Sequence, residues 1–183
     1  GNGGLVFLKT LTAAYVSLRD GISIPPEEGV LDWHMPPDPA EWEDSFLKVA
    51  GQVSMSRREE NAFRIQGPRE QDGFLHLTVA TVSSEALRTL AKAHGVTITA
   101  FLAAVMLQAI MELRPRRSHR WAKVTIPVDL RRLFESRTLR NFALTVNVGV
   151  DPRLGAYSLD ELCSVVQGQL AMQVTPQQMA ARV

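Results

Sequence analysis

Residues 97–113 are apolar almost all the way round a helical turn, through Phe101, Leu102, Val105, Met106, Leu107 and Ile110. A helix of that kind needs cover on every side. Two further stretches, 121–128 and 142–150, are β-rich and nearly continuous in apolar character, which predicts strands covered on both faces. Together they restrict the chain to a layered α/β arrangement. The material is sufficient, because 183 residues with 45% hydrophobic content bury a substantial core in one domain or two small subdomains.

Charge and cysteine content exclude several classes of function. With 20 Lys+Arg against 19 Asp+Glu and a net charge of +1, nothing in the bulk charge draws the chain to nucleic acid or an anionic membrane. Residues 87–106 have the outline of a DNA-reading helix-turn-helix, but the second helix offers no row of polar side chains to base edges, so no nucleic acid is expected. The longest apolar runs, 100–110 and 142–150, fall short of the roughly 20 residues that span a bilayer, so no membrane span is expected. Cys163 is the only cysteine, which excludes an internal disulfide and leaves it without a cysteine partner for zinc; no metal site is expected, and a reducing cytoplasm fits.

Local signals place the elements. Leu5, Leu8, Leu11, Tyr15 and Leu18 recur at helical spacing and predict one apolar face, ended by Gly21, that packs on a sheet. The proline-rich 22–39 stretch reads as an extended crossover, and Asp38-Pro39 starts a short helix through Ala50. Residues 54–60 read as a polar surface connection. Residues 63–66 and 74–82 alternate and predict two strands joined by a turn over 68–73. Ser83 and Ser84 cap a helix to His94 that Gly95 ends, Thr97 opens the apolar helix, 158–173 is helical by period, and Thr175-Pro176 begins another helix.

Residues 74–110, FLHLTVATVSSEALRTLAKAHGVTITAFLAAVMLQAI, resemble the strand and helix pair of condensation-type acyltransferases. Residues 124–150, VTIPVDLRRLFESRTLRNFALTVNVGV, are similar to the paired strands of the same superfamily, with its pattern carried by Arg131, Asn141, Phe142 and Asn147. The segment EDSFLKVA at 43–50 also resembles the bacterial alcohol O-acetyltransferase-like group. The resemblance implies a chloramphenicol acetyltransferase-like two-subdomain fold, incomplete in this chain. On that reading residues 1–82 end the N-terminal subdomain and 83–183 begin the C-terminal one.

The superfamily's defining motif is HxxxDG, followed by a short glycine-rich stretch and an amphipathic helix. The opening Gly1-Asn2-Gly3-Gly4 resembles the end of that motif, with Gly1 as its glycine, so the chain is expected to be a piece of a longer protein whose histidine and aspartate lie upstream. The family histidine is the general base that takes the proton of the acceptor as it attacks a thioester carbonyl. No catalytic residue is therefore assigned within this chain. The resemblance implies an O-acyltransferase with acyl-CoA as co-substrate, no permanently bound cofactor, an alcohol acceptor and, as a further partner, a carrier protein. Two alternatives stand beside it: a non-catalytic binding domain of the same fold, and a non-ribosomal peptide condensation-type domain.

Candidate site residues follow from the same reading. Thr145 and Asn147 are polar positions on an otherwise apolar strand and are candidates for facing a substrate channel. Asp129 and Arg131 follow a strand end, where they pair to fix a loop or meet a ligand. Arg116, Arg117 and Arg120, in the one dense basic run, are candidates for the donor's phosphates, against a solvated loop as the plainer reading. The four histidines are read as structural or solvated, and Cys163 as a buried thiol. If the first helix and the 74–82 strand lack their sheet, the chain exposes apolar edges and aggregates or dimerises.

Overall fold

The computed structural model describes residues 2–27, 29–50, 60–67, 70–115 and 117–183. In chain order the elements are α1 (Asn2–Asp20), α2 (Pro39–Trp42), α3 (Ser45–Val49), α4 (Ser84–Ala93), α5 (Ile98–Leu113), β1 (Ala122–Asp129), β2 (Ala143–Val150), α6 (Leu159–Gln173) and α7 (Pro176–Ala180). The two strands form an antiparallel two-stranded sheet, so the fold class is mixed α/β. The chain divides into two compact units, each discontinuous in sequence: Gly1–Met55 with Pro127–Leu144 and Pro176–Val183, and Ser56–Ile126 with Thr145–Thr175.

In the second unit the helix boundaries follow capping chemistry. Ser83 and Thr97 turn their hydroxyls onto the first free amides of α4 and α5, and Gly95 between them takes a φ of 67°, which a side chain would oppose. Ser158 and Glu161 form a reciprocal capping box at the start of α6. Ser158→Ala is expected to cost about 1 kcal/mol by releasing that amide, measured as a shift in the urea midpoint.

Helix α5 packs on α6, and Ala100, Ala103, Ala104 and Leu107 on the first with Leu162, Cys163 and Val166 on the second are buried. Burial pushes the Cys163 thiol up, with Asp160 adding to the effect, so the thiol form holds there. Ala122, Val124, Ile126, Val146, Val148 and Val150 are the buried side chains of the strands in this unit. The backbone of β2 is completed by helix side chains. Gln169 donates to the Gly149 carbonyl and accepts from its amide, both at 2.8 Å, and Gln173 donates to the Asn147 carbonyl at 2.9 Å. Two glutamines thus replace a neighbouring strand, which leaves these polar groups satisfied.

Past β2, the buried Asp151 accepts from the backbone amide of Arg153 and takes its guanidinium with two oxygens, down to 2.6 Å. The Arg153 guanidinium first, and then its amide, hold the Asp151 carboxyl below its ordinary value of 3.8. A depressed carboxyl stabilises the fold above that value and loses its contribution as the pH falls through the acid range beneath it. Asp151→Asn is therefore expected to flatten the acid limb of the stability curve and leave the slope near neutrality unchanged, which urea midpoints between pH 2 and pH 7 would show.

In the first unit Leu130, Thr138, Phe142 and Met179 are fully buried. The Phe142 ring meets Phe46 edge-on at 5.0 Å and Phe134 at 6.1 Å. Thr138 ties the segment between the strands to the short helices by donating to the Glu43 carbonyl at 2.8 Å, while Leu139 donates to the Glu41 carbonyl at 2.6 Å. The helix expected from Asp38 to Ala50 is two short helices, because Asp44 as well as Asp38 caps a new start.

Several expectations are corrected. Residues 63–66 and 74–82 form no strand. Phe63 donates to the Trp121 carbonyl beside an isolated parallel bridge from Ala62, but 74–82 has no strand neighbour among the described residues, and Leu75, Leu77 and Val79 are exposed. Period-two patterning makes a strand only where another strand takes its amides and carbonyls. The apolar face of α1 is likewise open: Leu5, Leu8, Leu11 and Tyr15 are exposed and Leu18 is 87% exposed. The buried positions are Val6 and Ala13, on the side where the Thr10 hydroxyl receives the Leu31 amide of the crossover at 2.9 Å. Cover on both faces fails for β1, where Thr125 and Pro127 are exposed, and α5 leaves Leu102, Val105 and Met106 open along one side. The 54–59 part of the polar connection, and Pro68 and Arg69 of the turn, lie outside the described residues.

No single helix among the described residues is long and apolar enough to cross a membrane.

Candidate functional site

In the first unit a groove of about 410 Å³ opens between the start of α1 and the segment that follows β1. Gly3 and Gly4 line it from one side, and Asp129, Arg131, Arg140 and Asn141 from the other. The first turn of α1 brings amides with no helical acceptor. A Cβ on Gly3 would collide with the Leu139 carbonyl, so glycine is what lets the helix come this close to the loop.

Arg131 organises the far wall. Its Nη1 donates to Asp129 Oδ1 at 2.7 Å, its Nε to the Thr138 carbonyl at 2.7 Å, and its Nη2 to the Arg140 carbonyl. Asp129 Oδ1 also receives the Arg131 amide at 3.2 Å, closing the turn that leaves β1. The Arg131 side chain is 12% exposed and that of Asp129 48%. A planar fork spends its donors on one carboxylate and two carbonyls, which a lysine ammonium cannot match in direction. Arg140 reaches Asp44 only at 4.0 Å, so its charge faces the groove with little compensation.

Of the sequence candidates, Asp129 and Arg131 come together here, as a pair that fixes the loop and borders the groove. Thr145 and Asn147 do not line it. Thr145 is exposed, and Asn147 accepts the Thr125 hydroxyl across the sheet at 2.6 Å. Arg117 and Arg120 are exposed on the loop after α5. Gly1 and Arg116 lie outside the described residues. Arg140 and Thr138 were not singled out in the sequence, because their roles rest on a backbone carbonyl and a buried hydroxyl that no motif marks.

The described lining of the groove holds no histidine, cysteine, serine or threonine, and its one carboxylate, Asp129, is engaged by Arg131. The chain's one histidine four residues ahead of an aspartate is His34, with Asp38 and then Pro39 where HxxxDG has glycine. His34 is exposed, and Asp38 is spent on capping α2 and on Arg137 at 2.9 Å. Among the described residues no group of three His, Cys, Asp or Glu is placed to hold a metal ion. Compared with known proteins, the chain matches no protein-family model, no curated protein and no solved structure.

Proposed function

We propose that the chain is part of an acyltransferase of chloramphenicol acetyltransferase-like fold, moving an acyl group from acyl-CoA to an alcohol. One observation supports this reading above the others. The glycine-rich start of α1 and the Asp129-Arg131-Asn141 segment, which separately resemble two motifs of the superfamily, line the same groove. In this reading the general base is a histidine ahead of Gly1, and Arg131 holds the loop that the reacting groups pass. The test is acceptor-dependent release of free thiol from acetyl-CoA by the full gene product, across a panel of alcohols. Thiol release that disappears when the histidine of an in-frame HxxxDG ending at Gly1 is changed to alanine is the expected result. Absence of that motif upstream, together with no thiol release from any acyl-CoA, would sink the reading.

A second reading, a non-catalytic domain of the same fold that holds a carrier protein or another polypeptide, draws on the exposed apolar face of α1. It expects a stable complex with such a partner and no thiol release.

A further inference from the structure

A second cavity, of about 390 Å³, lies wholly within the other unit, where the end of α5 meets the loop after β2 and the start of α6. Its volume falls in the range of small-molecule pockets, roughly 300–1,000 Å³. Met111 and Leu162 give it an apolar wall, and Gln108, Glu112, Arg114 and Tyr157 its polar groups. Arg114 is the unusual member. Its Nη1 donates to the Ser118 carbonyl, while its Nε is buried and has no hydrogen-bond partner among the described residues. An unpaired buried donor is rare in folded proteins and calls for an absent acceptor.

The acid on the loop after β2 has a partner of its own. Asp151 is engaged by Arg153, and the Tyr157 hydroxyl donates to the Asp151 backbone carbonyl at 3.2 Å. Arg114 as a whole is half-buried and lines the cavity, so its guanidinium borders the space a ligand would fill. A guanidinium is the side chain best matched to a carboxylate. Glu112 on the same lining repels a doubly charged phosphate and leaves the balance in favour of a single negative charge.

We infer that this cavity binds a small organic monocarboxylate, with its carboxylate on the Arg114 guanidinium and its apolar body against Met111 and Leu162. The site is separate from the groove beside α1 and does not depend on the acyltransferase reading. The probe is hexanoate, titrated into the full chain and followed by amide NMR, with hexan-1-ol as the neutral isostere. Saturable shifts at Gln108, Glu112 and Tyr157 are expected for hexanoate. Arg114→Met should weaken binding by about tenfold or more, the ordinary worth of a charge-assisted pair. Ala156→Trp, on the exposed loop lining the cavity, should block binding by filling space, and serves where Arg114→Met does not fold. Equal binding of hexan-1-ol, unchanged affinity in a folded Arg114→Met protein, unchanged affinity in Ala156→Trp, or no saturable shift with hexanoate would each overturn the assignment.

Discussion

Phe142→Ala is expected to lower the unfolding free energy by about 3–5 kcal/mol, the range for emptying a buried aromatic position. The ring is fully buried, meets Phe46 and Phe134, and sits where the chain enters β2. Neither neighbour is free to collapse into the gap. Phe46 belongs to α3, which Asp44 caps, and the turn carrying Phe134 is held by its amide to the Leu130 carbonyl at 3.0 Å. The Leu130 amide in turn donates to the Phe142 carbonyl at 3.1 Å, so the loss should spread to the turn after β1. Urea unfolding followed by circular dichroism is the measurement, with a shifted midpoint and an unchanged slope expected. Leu18→Ala on the exposed side of α1 is the contrasting control and should move the midpoint by less than about 0.5 kcal/mol. A small loss for Phe142→Ala would mean that the three rings do not share a packed site.

Arg131→Met is expected to cost about 2–4 kcal/mol and to loosen the wall of the groove. The substitution keeps the stem but leaves the Thr138 and Arg140 carbonyls without their donor. The Asp129 share of that loss is modest, since its carboxylate is half-exposed and water takes over part of the interaction. The carbonyls carry most of the cost. Arg131→Lys should recover less than half of it, because a single ammonium cannot point at two carbonyls and a carboxylate together. Hydrogen exchange at Leu139, Arg140 and Asn141 gives the local readout, rising in both variants. Full recovery by lysine would show that charge alone, and not the direction of the fork, holds the segment.

What was legible in the sequence was whatever one short stretch decides for itself. Ser83, Thr97 and Ser158 each cap the helix their position announces, and Gly21 and Gly95 take the positive φ at helix ends. The paired strands were equally plain, since apolar β-rich runs of that length have few other uses. Residues 74–82 were misread as a strand because pairing is a property of two segments, and only one of them was in view. Leu5, Leu8, Leu11, Tyr15 and Leu18 gave a sound helix and a wrong burial, since periodicity marks a stripe without saying what lies against it. The groove was half legible. Asp129 and Arg131 stand out at a strand end, but nothing local brings Gly3 to them, and the carbonyls that orient Arg131 belong to residues of any type.

The stretch from Phe74 to Val82 belongs to no helix or strand and holds large apolar side chains out to water, which suits it to a protease cleft. Chymotrypsin in a brief digest should cut first after Phe74, Leu75 or Leu77, before any bond inside α5 or α6. Protection of those bonds when the protein is concentrated, or mixed with a partner, would then turn a mass spectrum of the fragments into a gauge of assembly.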